Sequence, residues 1–185
     1  MDRETNDLVA RQYLSEKNLD RVEPGEYVSW AALERERGHD TASLRKLAAA
    51  GSAEGTFPEA ESLFRESISE LGWETPSRKA SLKRHAESTL HSIVDGDIAP
   101  YDGCAHLYII SIFLKHPDYL FEWNGLFWAR EDLDEETLNE LILEEARVEL
   151  GGEPTRKKEL LRRIEEEEER VPGFWERLRE LVRRR

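Results

Sequence analysis

The chain has 185 residues, 27 Lys and Arg against 40 Asp and Glu, a formal charge of −13 and one cysteine. The length fits one domain with an appended tail, and the single cysteine excludes a disulfide framework and a cysteine-rich zinc site. An excess of acid on this scale also opposes nucleic acid, whose phosphates it repels.

Apolar residues make up 38% of the chain, with five Trp, five Tyr and six Phe, enough to build a core at this length. The N-terminus, Met1 to Asp7, is polar and has no signal-like apolar run. The longest apolar stretch, Leu107 to Leu114, is broken by Ser111 and falls far short of the roughly 20 residues of a membrane span. A cytoplasmic protein with no membrane contact is expected.

Gly and Pro divide the chain into pieces of helical length. The first, about Arg3–Lys17, carries Leu8, Val9, Tyr13 and Leu14. Pro24 stands where a first helical residue belongs, followed by Tyr27, Val28, Trp30, Ala31 and Leu33, with Gly38 as the stop. Asp40 or Thr41 caps a third helix whose face is Leu44, Leu47 and Ala48. Beyond a polar Gly51–Gly55 linker, Thr56-Phe57-Pro58 opens a fourth, with Ala60, Leu63, Phe64, Ser67, Ile68 and Leu71 at a 3.6-residue period. Thr75-Pro76 is the expected start of the fifth, which turns Leu82, Ala86, Leu90, Ile93 and Val94 inward and stops at Gly96.

Pro100 pre-sets the first turn of helix six, and Asp102 there complements the helix dipole. Helix six is apolar nearly all round, which predicts a central element covered on several sides. Leu120 to Trp128 is ambiguous. Asn124-Gly125 between apolar residues signals a hairpin, but the flanks are helical and an isolated hairpin is only marginally stable. Helix is the preferred reading, with one short hairpin as the alternative. Asp132 or Asp134 caps helix eight, which ends at Gly151-Gly152. Pro154-Thr155 opens a polar helix, and Pro172-Gly173 breaks it before Phe174, Trp175, Leu178, Leu181 and Val182. The fold class is therefore all-α: a compact bundle of about eight to ten short helices over residues 1–152, with a charged helical extension, 153–185, packing on it.

Three segments recur together in small bacterial proteins: Ser43-Leu44-Arg45-Lys46-Leu47-Ala48, Glu70-Leu71-Gly72, and Ile93 through Gly103. Over residues 28–150 the chain thereby resembles an uncharacterised bacterial family, and the run Gly96-Asp97-Ile98-Ala99-Pro100-Tyr101-Asp102-Gly103 is the most specific part. The resemblance implies a helical fold and bacterial origin. It carries no activity, so no functional residue transfers.

Catalytic and metal patterns are weak. Cys104 and His106 invite a nucleophile–base pair with Asp102 as orienter, but residues two apart on a helix point away from each other. A free cysteine beside an apolar helix is ordinarily a small core residue. The one Glu-x-x-His, Glu36 to His39, contains a helix-ending glycine, and no His-Glu-x-x-His, Cys-x-x-Cys or phosphate-cradling glycine loop occurs. No metal and no cofactor are expected.

Charge distribution is more informative. Asp118 to Gly152 holds 11 acids against Arg130 and Arg147, a net −9, whereas Glu153 to Arg185 has 11 basic and nine acidic residues, net +2. Glu136, Glu140 and Glu144 stand four apart on helix eight and form one expected ridge. Beside it lie Tyr119, Phe121, Trp123, Phe127 and Trp128. An acidic ridge next to aromatics suits a basic protein surface, steered by the acids and anchored by a partly exposed Trp. The expected function is a binding protein of immunity or inhibitor type, its partner site comprising Trp123, Glu131, Asp132, Asp134, Glu136, Glu140 and Glu144. The alternatives are an enzyme with a site near Cys104 and His106, or a scaffold that forms a homo-oligomer through its C-terminal helices.

Overall fold

In a computed structural model, which describes residues 1–15, 20–50 and 57–152, the chain is built from helices. These are α1 (Arg3–Ser15), α2 (Pro24–Glu36), α3 (Ala42–Ala49), α4 (Phe57–Glu70), α5 (Arg78–Asp95), α6 (Pro100–Phe113), α7 (Phe121–Trp128) and α8 (Glu135–Glu149). Short 3-10 turns at Asp118–Leu120 and Ala129–Glu131 flank α7, and no strand occurs among the described residues. The all-α expectation holds. The linker at 51–55, the expected end of the first helix at Lys17 and the extension 153–185 lie outside the described residues.

Local chemistry explains the boundaries. Pro24 opens α2, and the Glu26 side chain accepts the Glu23 N–H at 2.8 Å, completing a capping box. Thr41, not Asp40, caps α3, its hydroxyl accepting from Leu44 N–H at 3.3 Å. A second cap comes from α4, where Glu70 accepts the Ser43 N–H at 2.9 Å. Helix α5 starts two residues later than Thr75-Pro76 suggested, because Ser77 is the residue whose hydroxyl accepts an N–H, from Ala80 at 3.3 Å. At α8 the cap is Asp134, which accepts from Thr137 N–H at 3.0 Å.

The chain divides into two compact units, Met1–His85 and Ala86–Arg185, with the boundary inside α5. In the first unit α2, α3 and α4 pack on one another, and α1 packs on α2. Phe64 of α4 sits at the centre, 5.0 Å from the Tyr27 ring and 4.6 Å edge-on from Trp30. Leu44, Leu47, Val22, Leu8, Val9 and Ile68 complete this core. Its polar tips are matched: Trp30 Nε1 donates to Thr5 Oγ1 at 2.8 Å, and Gln12 Nε2 donates to Tyr27 Oη at 3.2 Å. Burial pushes the Tyr27 hydroxyl up to about 12. Thr5 and Gln12 fall on the same stripe of α1 as Leu8 and Val9, so that helix buries a half-polar face.

In the second unit α6 packs against both α7 and α8. Its buried apolar residues include Leu90 and Ile93 of α5, Cys104, Leu107 and Ile110 of α6, Leu120 and Ala129 on either side of α7, Trp123 of α7, and Leu138, Leu141, Ile142 and Ala146 of α8. The α5–α6 approach depends on a missing side chain. A Cβ at Gly103 would lie 2.4 Å from Ile93 Cγ1, closer than real carbon atoms come. The preceding turn needs another glycine: Gly96 has φ +80°, and the Asp97 and Ile98 N–H groups both reach back to the Ser92 carbonyl.

In this unit one preferred reading holds and one expectation changes. Residues 121–128 are helical, with Asn124-Gly125 inside α7 and Asn124 Oδ1 3.1 Å from Ser111 Oγ of α6. Packing on α6 buries Trp123 of the segment without a sheet. The change concerns α6 itself, which is not buried all round. Only the stripe Gly103, Cys104, Leu107, Ile110 and Ser111 is buried, and Ile112 on another face is 45% exposed.

Candidate protein-interaction face

The uncovered side of α6 and α7 carries an ordered set of rings. Tyr108 stacks on Phe127 with centroids 4.2 Å apart and planes within 7°. Tyr101, seven residues before Tyr108 and hence on the same face of α6, stacks on Phe127 at 5.9 Å. Its hydroxyl donates to the Phe127 carbonyl at 3.4 Å. Arg130 lies over the Tyr101 ring at 4.6 Å, a cation–π contact. Trp128 meets Phe127 at 5.3 Å and Tyr108 at 6.1 Å, edge-on to both, and remains 55% exposed. Phe121, one α7 face-repeat earlier, is 40% exposed.

Lys115 and His116 take left-handed φ values of 63° and 52°, and the His116 N–H closes on the Ser111 carbonyl at 2.7 Å. Pro117 then restarts the chain in extended conformation, and Asp118 begins the 3-10 turn that leads into α7.

Acidic side chains surround the rings in sequence. Glu131, Asp132, Asp134 and Glu136 are all exposed, as are Asp102 and Asp118. The Thr137 N–H holds the Asp134 carboxylate below its usual range, so it is charged at neutral pH. The rest of the expected partner site is placed differently. Trp123, expected as a partly exposed anchor, is fully buried; Trp128 is the exposed indole. Glu140 is half-buried and Glu144 only 3% exposed, 4.0 Å from Arg147. Each four-residue step turns about 40° round a helix. By Glu144 the ridge has therefore drifted onto the side of Thr137, which is seven residues earlier and itself buried.

The enzyme alternative meets an unfavourable setting at Cys104. The thiol is buried, 3.9 Å from the Trp123 carbonyl, and burial pushes it up to about 12, so the thiolate nucleophile is scarce at neutral pH. His106 is half-buried two residues away on α6. Among the described residues no three His, Cys, Asp or Glu side chains gather where they would hold a metal ion, and no helix is long and apolar enough to cross a membrane.

Sequence reasoning missed Tyr101, Tyr108 and Ile112 as parts of this face. The signal available was the pair of tyrosines seven apart on α6, since a phenol has an apolar body and a tip that seeks water or a polar partner. No protein-family model, curated protein or solved structure matches the chain.

Proposed function

We propose that this protein is a binding protein of inhibitor or immunity type, whose second unit engages a basic protein partner. One observation carries the reading. Apart from Met1, the large apolar side chains exposed among the described residues are Ile112, Phe121 and Trp128, all in the stretch where acid is concentrated. Residues 86–152 hold 15 acidic and three basic residues, net −12, against 16 and 13, net −3, in residues 1–85. A field of one sign speeds encounter with an oppositely charged surface, and exposed rings supply affinity that charge alone does not.

The test uses a synthetic Lys/Leu peptide as the basic partner and the variant Glu131→Lys/Asp132→Lys/Glu136→Lys. Asp134 is spared because it caps α8, and Glu144 because it is buried. Wild-type association should slow steeply as salt rises. The triple reversal should lower the association rate by about tenfold or more and flatten that dependence. Equal rates and equal salt dependence in both proteins would overturn the reading.

A further inference from the structure

Resting on that proposed function, we infer that the α7 ridge Phe121–Gly125–Trp128, continued by Tyr108 and Ile112 of α6, is the seat for an apolar side chain of a basic peptide segment of the partner. Phe121 and Trp128 are seven residues apart and share a helix face, about 10 Å from each other along the axis. Gly125 stands between them and contributes no side chain, so the two exposed rings are the ridge's apolar contacts. Trp128 is held by its edge contacts to Phe127 and Tyr108, so ordering it on binding costs little entropy. Ile112, one turn beyond Tyr108 on α6, extends the apolar surface.

Charge selects the occupant. The ridge is bracketed in sequence by exposed acids, Asp118 three residues before Phe121 and Glu131 and Asp132 three and four after Trp128, which outnumber the exposed Lys115 and Arg130 beside them. A second copy of this chain would bring the same −12 to the interface, and an anionic bilayer or a nucleic acid would likewise be repelled. A segment with an apolar side chain flanked by Lys or Arg matches the exposed rings and their net acidic surroundings together.

The experiment titrates the full chain with three peptides of equal length, Lys/Leu, Lys/Ser and Glu/Leu, and with zwitterionic lipid vesicles. Calorimetry and the tryptophan emission are the readouts, and circular dichroism checks the fold of each variant. Lys/Leu should bind at least about tenfold tighter than Lys/Ser. Trp128→Ala and, independently, Gly125→Met should each weaken Lys/Leu binding by a similar factor while its salt slope stays unchanged. Tight, salt-dependent binding of both basic peptides with no effect of either variant would overturn the ridge as the seat and leave the proposed function standing. Absence of salt-dependent binding by any basic peptide would overturn both. Equal binding of Glu/Leu, or of the vesicles, would replace the basic partner with a purely apolar or lipid one.

Discussion

Residues 1–85 and residues 86–152 use charge in opposite ways. In the first stretch acids and bases are nearly balanced and meet in shared ion pairs. Arg37 reaches Asp2, Glu4 and Glu34, and Arg11 reaches Asp20 and Glu26. His85 of the same unit places Nδ1 3.0 Å from Asp7 Oδ1. In the second stretch three cations face 15 acids; Arg130 is spread over a tyrosine ring, and Arg147 stands 4.0 Å from Glu144. Charge in the first unit fixes local geometry. In residues 86–152 acids outnumber bases by 12, and that net charge acts outward as a field.

The largest predicted effects separate two tryptophans of one helix. Trp123→Ala should cost about 3–5 kcal/mol in urea unfolding, because it empties a fully buried site. Trp128→Ala should cost no more than about 1 kcal/mol, the worth of its ring contacts. Similar costs for the two would erase the distinction between core and interaction face. In the first unit Phe64→Ala should match Trp123→Ala, since it removes the ring between Tyr27 and Trp30.

Next comes Gly103→Ala, expected to cost about 1–3 kcal/mol as the new methyl is driven against Ile93. An unchanged denaturation midpoint would mean that α5 and α6 have room to separate.

Arg11→Ala should cost about 1–2 kcal/mol and also change the acid limb of stability. Burial raises the Glu26 carboxyl, but the Arg11 hydrogen bond and charge outweigh it and hold the group below its usual range. Asp2 is held low likewise: burial again opposes, and the Thr5 N–H and Arg37 prevail. A depressed carboxylate stabilises the fold above its unfolded-state value, and this contribution disappears as pH falls through the lower folded value. Backbone amides of residues 1–85 should therefore report destabilisation below the ordinary carboxylate range, and Arg11→Ala should remove the part that belongs to Glu26.

The smallest effect has opposite signs in the two regions. Added salt should weaken the ion pairs of residues 1–85 and relieve self-repulsion in residues 86–152, each by about 0.5 kcal/mol or less. Region-resolved hydrogen exchange would read both.

Helix boundaries were largely legible because Pro, Gly and hydroxyl caps act locally. Pro24, Pro100, Thr41 and Asp134 all serve as their types suggest. What escaped depended on neighbours. Nothing local distinguishes an α6 buried on all sides from one buried along the stripe Cys104, Leu107 and Ile110. The ridge Glu136–Glu140–Glu144 was sound as spacing, but whether the drifting row meets water or the core depends on which arc of α8 is covered. The polar partners Thr5 and Gln12 were invisible because their worth lies in Trp30 and Tyr27 across the core.

The central claim, that the second unit is the interaction unit, is most directly tested by mapping a Lys/Leu peptide onto the full chain through backbone amide shifts at low salt. The account predicts shifts concentrated at residues 101–112, 118–128 and 131–136, fading together as salt is raised. Shifts concentrated in residues 1–85, or unmoved by salt, would contradict it.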